Sequence, residues 1–169
     1  MMYKLTIASL ISNIIIALLP FYWWYYGTGN LIEVADSPFM LNIIFMGSQL
    51  EIIQIVNLFL LAFRFYVIIV SGIYIYYVIK GQKKTYGLIF WTSYLYILDP
   101  IVFYIIFNYL FPLIGYGFHY PFFIIGKEKV DFTYQNTLIS TIVYSYPSSA
   151  YWISLAAGTI YLASRIFKR

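Results

Sequence analysis

The placement of ten basic and six acidic residues along 169 constrains this chain more than any other feature. Lys4, Lys80, Lys83, Lys84, Arg165, Lys168 and Arg169 flank long apolar runs at the two ends and in one short connection, with no acid among them. Glu33, Asp36, Glu51, Glu128 and Asp131 fall in two other connections, together with Lys127 and Lys129. Only Arg64 and Asp99 sit inside apolar stretches. Basic residues collect on the cytoplasmic side of membrane helices, so the pattern predicts four spans with both termini inside.

Hydrophobic residues make up 63% of the chain and charged ones 9%. Soluble domains carry about 25% charged residues, so this chain has too few to cover a water-facing surface. The expected architecture is an all-α membrane protein, a four-transmembrane-helix bundle filling one integral membrane domain. Its spans fall at about 5–26, 52–79, 86–111 and 137–164. External loops take 27–51 and 112–136, and a cytoplasmic loop takes 80–85. Span one starts like a signal peptide, but it lacks a small-x-small cleavage site and reads as an uncleaved anchor. The chain has no cysteine, which excludes disulfides, thiolate metal ligation and S-acylation. The net charge of +4 follows from topology rather than from nucleic-acid binding. Expected partners are the lipid bilayer and other membrane subunits or further copies of the chain, in a cell membrane or a viral envelope or host membrane.

Within the first external loop, Leu31–Val34 and Met40–Met46 are apolar and separated by Ala35-Asp36-Ser37-Pro38, a turn pattern. Met40–Met46 is too short to span and reads as a strand or an interfacial helix. In the second loop, Val130–Tyr134 alternates as a strand does, and Gly126–Lys129 could turn it back on Phe122–Ile125. Both loops thus point to a small β-cap over the helices. That layout resembles claudin-like proteins in outline and implies an external sheet above four helices. Their tryptophan-and-paired-cysteine signature has no counterpart in a chain without cysteine.

Counting from Lys80 and Lys84 at about 1.5 Å per residue puts Arg64 and Asp99 roughly 24 and 22 Å from the inner face. Opposite charges at equal depth on neighbouring helices predict an ion pair, because a lone charge there costs about 3 kcal/mol or more. Such a pair locks two helices together or lines a proton or substrate path, with Pro100 freeing a backbone carbonyl beside it. Glu51, Gln54, Asn57 and Arg64 form a polar stripe on one helical face, either a helix contact or a vestibule. Asn108 lies about 180° around from Asp99 and marks a second contact surface. Ala150, Ser154 and Gly158 at four-residue spacing allow close helix approach. Tyr144, Ser145, Ser148 and Ser149 can satisfy the backbone groups that Pro147 leaves free.

His119 is the only histidine and cannot supply paired haem ligands. The five scattered acids of the external loops read as a solvated face. No nucleophile elbow or phosphate-cradling glycine loop is present. No cofactor, metal or enzymatic activity is expected. The sequence points to a non-enzymatic structural or assembly subunit of a membrane complex. The alternative is a small transporter or proton-coupled channel using Arg64 and Asp99, and a third reading is a quinone-associated subunit that borrows its cofactors.

Overall fold

The first apolar run turns helical at Lys4 and stops at Leu18, well short of Tyr26. Pro20 is the cause. The residue before a proline is driven out of the helical region, and Leu19 is extended, with φ −69° and ψ 125°. The aromatic run that follows suits a pleated surface and forms β1 (Trp24–Thr28). The computed structural model describes residues 3–29, 31–113, 115, 120–121, 124–134 and 137–167. His119, Phe122, Phe123, Lys168 and Arg169, which figure in the sequence reading, lie outside the described residues.

Helix α1 (Lys4–Leu18) leads into β1, and a meander of β2 (Ile32–Ser37), β3 (Met40–Phe45) and β4 (Ser48–Gln49) follows. Asp36 and Ser37 belong to β2, so the turn is the two residues Pro38-Phe39. Ser37 Oγ organises that turn, accepting from Phe39 N and Met40 N at 3.3 and 3.1 Å. Helix α2 (Ile52–Ile79) comes next, then α3 (Leu88–Leu95) and α4 (Leu98–Ile105). A π-helical turn over Ile106–Leu110 carries α4 into the single turn α5 (Phe111–Leu113). Strands β5 (Gly126–Tyr134) and β6 (Thr137–Pro147) precede α6 (Ser149–Ile166).

The six strands form one antiparallel sheet in the order β4-β3-β2-β1-β6-β5. This overturns the expected all-α four-helix bundle. Residues 137–147, read from sequence as the first part of a span, are strand β6. Their side chains alternate, with Thr141, Val143 and Ser145 buried and Ser140, Ile142 and Tyr146 exposed. That period of two is a strand signal, and only Ser149 onward is helical. Gly126–Lys129 likewise continues a strand rather than turning back. Among the described residues, two helical stretches are long and apolar enough to cross a membrane: the 28 residues of α2 and the 23 of Leu88–Leu110.

Helix α1 packs between α2 and α6, and α6 also packs on α3. Small side chains permit this: a Cβ on Gly158 would lie 3.0 Å from Phe90 Cα. Ala150, Ser154 and Gly158 are all buried, and the Gly158 end of the row meets α3 of the same chain. Sheet and helices meet in an aromatic core. The rings of Trp23 and Tyr96 are 5.3 Å apart, as are those of Trp24 and Tyr151. Lys83 Nζ lies 5.9 Å from the Tyr3 ring, which brings the α2–α3 connection to the start of α1. By chain order Lys4, Lys80 and Arg165 mark the helix ends remote from the sheet.

Candidate functional site

Asp36 is paired with Trp24 across the β1–β2 ladder, and Tyr26 with Val34. Alternation therefore puts the Asp36 and Tyr26 side chains on the same, helix-facing side of the sheet. Opposite them the apolar stretch of residues 88–110 is broken at Tyr96-Ile97, and a new helix starts at Leu98. Pro100 is in its first turn, where a missing N–H costs nothing, so it opens α4 instead of kinking a continuous helix. Asp99 also falls in that first turn, where the helix dipole favours a negative charge.

The two elements converge on a cluster. Tyr26 Oη donates to Asp99 Oδ2 at 2.6 Å, and the Tyr26 ring stacks on Phe103 with centroids 4.2 Å apart. The Asp99 charge and the Tyr96 hydroxyl both act on the Asp36 carboxyl. Asp36 Oδ1 is buried without a donor. Burial above all pushes the Asp36 carboxyl from its ordinary 3.8 up to about 7. The Tyr96 hydroxyl opposes that rise by favouring the charged form, and the Asp99 carboxylate reinforces it. The Tyr26 hydroxyl is raised far above its usual range, first by burial and then by the Asp99 charge. An open groove of about 380 Å³ runs past the cluster, lined by Pro38, Thr92, Leu95, Tyr96, Asp99 and Val102 among others.

Arg64 takes a different partner from the one its depth suggested. Its Nη2 donates to Phe39 O at 3.3 Å, its buried Nε has no hydrogen-bond partner, and no ion pair joins it to Asp99. The sheet supplies both partners, the Phe39 carbonyl of the β2–β3 turn for Arg64 and Tyr26 of β1 for Asp99. The polar stripe of α2 serves the same hairpin. Asn57 accepts from Leu41 N and donates to Leu41 O, both at 2.7 Å, so its amide bonds the strand as a neighbouring backbone would. Gln54 and Glu51 stay exposed and line a shallow open depression with Ile52 and Ile55.

Asn108 on the π-helical turn donates to Tyr120 O at 3.1 Å and accepts from Tyr120 N at 3.0 Å, fixing a point of the second external connection. Ser145 Oγ accepts from Trp24 Nε1 at 3.0 Å and donates to Ile124 O at 2.7 Å. Ser148 caps α6 by accepting from Ala150 N and Tyr151 N, and donates to Tyr22 O at 2.6 Å. The external acids scatter: Asp36 turns inward, while Glu33, Glu51, Glu128 and Asp131 are exposed. Among the described residues no three acidic or histidine side chains gather to hold a metal ion.

On the sheet face opposite Trp24 and Tyr26 lies a run of tyrosines. Ring centroids are 6.2 Å apart for Tyr22 and Tyr25, 5.5 Å for Tyr25 and Tyr146, and 5.6 Å for Tyr144 and Tyr146. Gly27 makes room for this run, since a Cβ there would come within 2.3 Å of the Tyr144 ring. The span expected over residues 5–26 took in Tyr22 and Tyr25. The alternation of Tyr144 and Tyr146 about Ser145 was the signal that these rings share a sheet face. In comparisons with known proteins, the chain matches no family model, no curated protein and no solved structure.

Proposed function

We propose that the chain is an integral membrane protein acting as a non-enzymatic assembly subunit, with the sheet as its contact surface outside the bilayer. The tyrosine run carries this reading. It is a contiguous, half-exposed aromatic face on a rigid sheet, and such faces anchor protein interfaces. The membrane part rests on α2, of whose 28 residues only Ile53, Val67, Ser71 and Val78 are buried. Leu58, Phe59, Phe65 and Ile69 are more than half exposed, a surface that lipid or another apolar helix would cover. Gentle purification from native membranes tests the reading. A particle with a stoichiometric partner or several copies is expected, and Tyr25→Ser with Tyr146→Ser should dissociate it. A strictly monomeric particle contradicts assembly.

A second reading, a small proton-coupled transporter or channel, draws on one observation: Asp99, held by the Tyr26 hydroxyl, lines an open groove. It predicts pH-dependent flux in liposomes that Asp99→Asn abolishes. Liposomes holding the protein that are no leakier than empty ones would exclude it.

A further inference from the structure

The two edges of the sheet differ. At one end β4 is two residues long, Ser48–Gln49, and so short a strand gives an incoming chain little to pair with. At the other end β5 is nine residues long, about 30 Å of backbone at roughly 3.3 Å per residue. It pairs with β6 along one side, and among the described residues no strand pairs with its other side. Alternate N–H and C=O groups along that side point outward, a template for a further strand. Lys127, Glu128, Lys129 and Asp131 on this edge are all exposed. Lysines on an edge discourage indiscriminate pairing, so charge decides which strand fits. The β5 sequence meets that condition itself.

We propose that β5 is a docking edge for the β5 of a second copy, the two strands running antiparallel about a two-fold axis at Val130. The two six-stranded sheets then become one. In this register all nine residues pair, from Gly126 opposite Tyr134 to Val130 opposite its own counterpart. Lys129 of each copy faces Asp131 of the other, giving two cross-strand pairs of opposite charge. The neighbouring registers, centred on Lys129 or on Asp131, set two lysines or two aspartates directly opposite each other, which is destabilising. The β5–β6 ladder puts Lys127, Lys129 and Asp131 beside Tyr144, Ile142 and Ser140, on the face that carries the tyrosine run. A two-fold axis perpendicular to the sheet keeps that face on the same side in both copies, so pairing joins two tyrosine faces into one. This pairing rests on the assembly reading, with a second copy of the chain as the partner.

Because the chain has no cysteine, disulfide formation can read the register. Lys129→Cys, Val130→Cys and Asp131→Cys, each in the full chain, are oxidised with copper phenanthroline in native membranes. Directly facing side chains have Cβ atoms about 4.5–5.5 Å apart, and diagonal ones lie about 7–8 Å apart. Val130→Cys should therefore yield several times more covalent dimer than either neighbour. Equal yields at the three positions, or none from a folded Val130→Cys chain, would overturn the pairing. Charge exchange gives a second readout. Lys129→Glu or Asp131→Lys alone sets like charges in both pairs and should weaken self-association about tenfold. Differently tagged Lys129→Glu and Asp131→Lys chains expressed together should bind each other, because both mixed pairs are again opposite in charge. A mixture that co-purifies no better than either variant with itself would overturn the pairing. So would a particle holding several copies or another protein while Val130→Cys stays uncross-linked, a result that leaves the assembly reading standing. Cross-linked dimer in the Tyr25→Ser, Tyr146→Ser protein supports the edge pairing even where the tyrosine face fails.

Discussion

The helix layer is held differently at its two ends. Near the sheet, side chains reach across to backbone and to each other: Asn57 to Leu41, Arg64 to Phe39, Tyr26 to Asp99, Ser148 to Tyr22. Toward the basic end, the helices close on small residues. Gly158 abuts Phe90, Gly87 abuts the Tyr161 ring, and Ser71 and Ser93 are fully buried with hydroxyls that find no partner. Asn13 donates to Tyr86 O there at 3.0 Å. The difference teaches where order originates. Close approach fastens one end and the hydrogen-bonded sheet organises the other, the division that the proposed membrane setting calls for, since helices in lipid gain little from apolar contact alone.

Substitutions can break that contrast, beginning with the largest effect. Trp24 is fully buried between Ser145 and Tyr151, and Trp24→Ala should cost about 3–5 kcal/mol, seen as a large drop in thermal midpoint. Asn57→Leu leaves both Leu41 backbone groups without their α2 partner and should cost about 2 kcal/mol. Amide exchange at Leu41 should rise with it. At the other end, Gly158→Val pushes against the Phe90 backbone and should cost about 1–2 kcal/mol. Its damage should stay at the α3–α6 contact and leave the sheet amides protected. Ser71→Ala should change stability by roughly 0.5 kcal/mol or less, since no hydrogen bond is lost. A large loss there would mean that polar bonds hold both ends.

The parts of the fold that could be read from sequence are those where a single physical signal dominates. The bounds of α2 follow from one long, predominantly apolar run between Glu51 and Lys80. The alternation over Val130–Tyr134 marks part of β5. Two segments misled because hydropathy does not distinguish an apolar strand from half a span. Pro20 could have ended α1 at Leu18, and the alternation of residues 138–146 could have marked β6. The candidate site was half visible. Asp99 stands out as a charge in an apolar stretch, but Asp36 sits in a segment that reads as a solvent-facing turn. Its approach to Asp99 depends on the β1–β2 register, and no spacing along the chain encodes that. Arg64 was paired by depth alone, and the Phe39 carbonyl, being backbone, leaves no trace in a pattern of side chains.

The most direct measurement exploits the absence of cysteine, which makes single-cysteine labelling free of background. Ser48→Cys places a thiol on exposed β4, and Gln82→Cys places one in the exposed α2–α3 connection. With a membrane-impermeant maleimide, the account predicts labelling at position 48 in intact cells and at position 82 only after permeabilisation. Equal labelling of both in intact cells, or recovery of the chain in the soluble fraction, would contradict a sheet and a basic end on opposite sides of a bilayer.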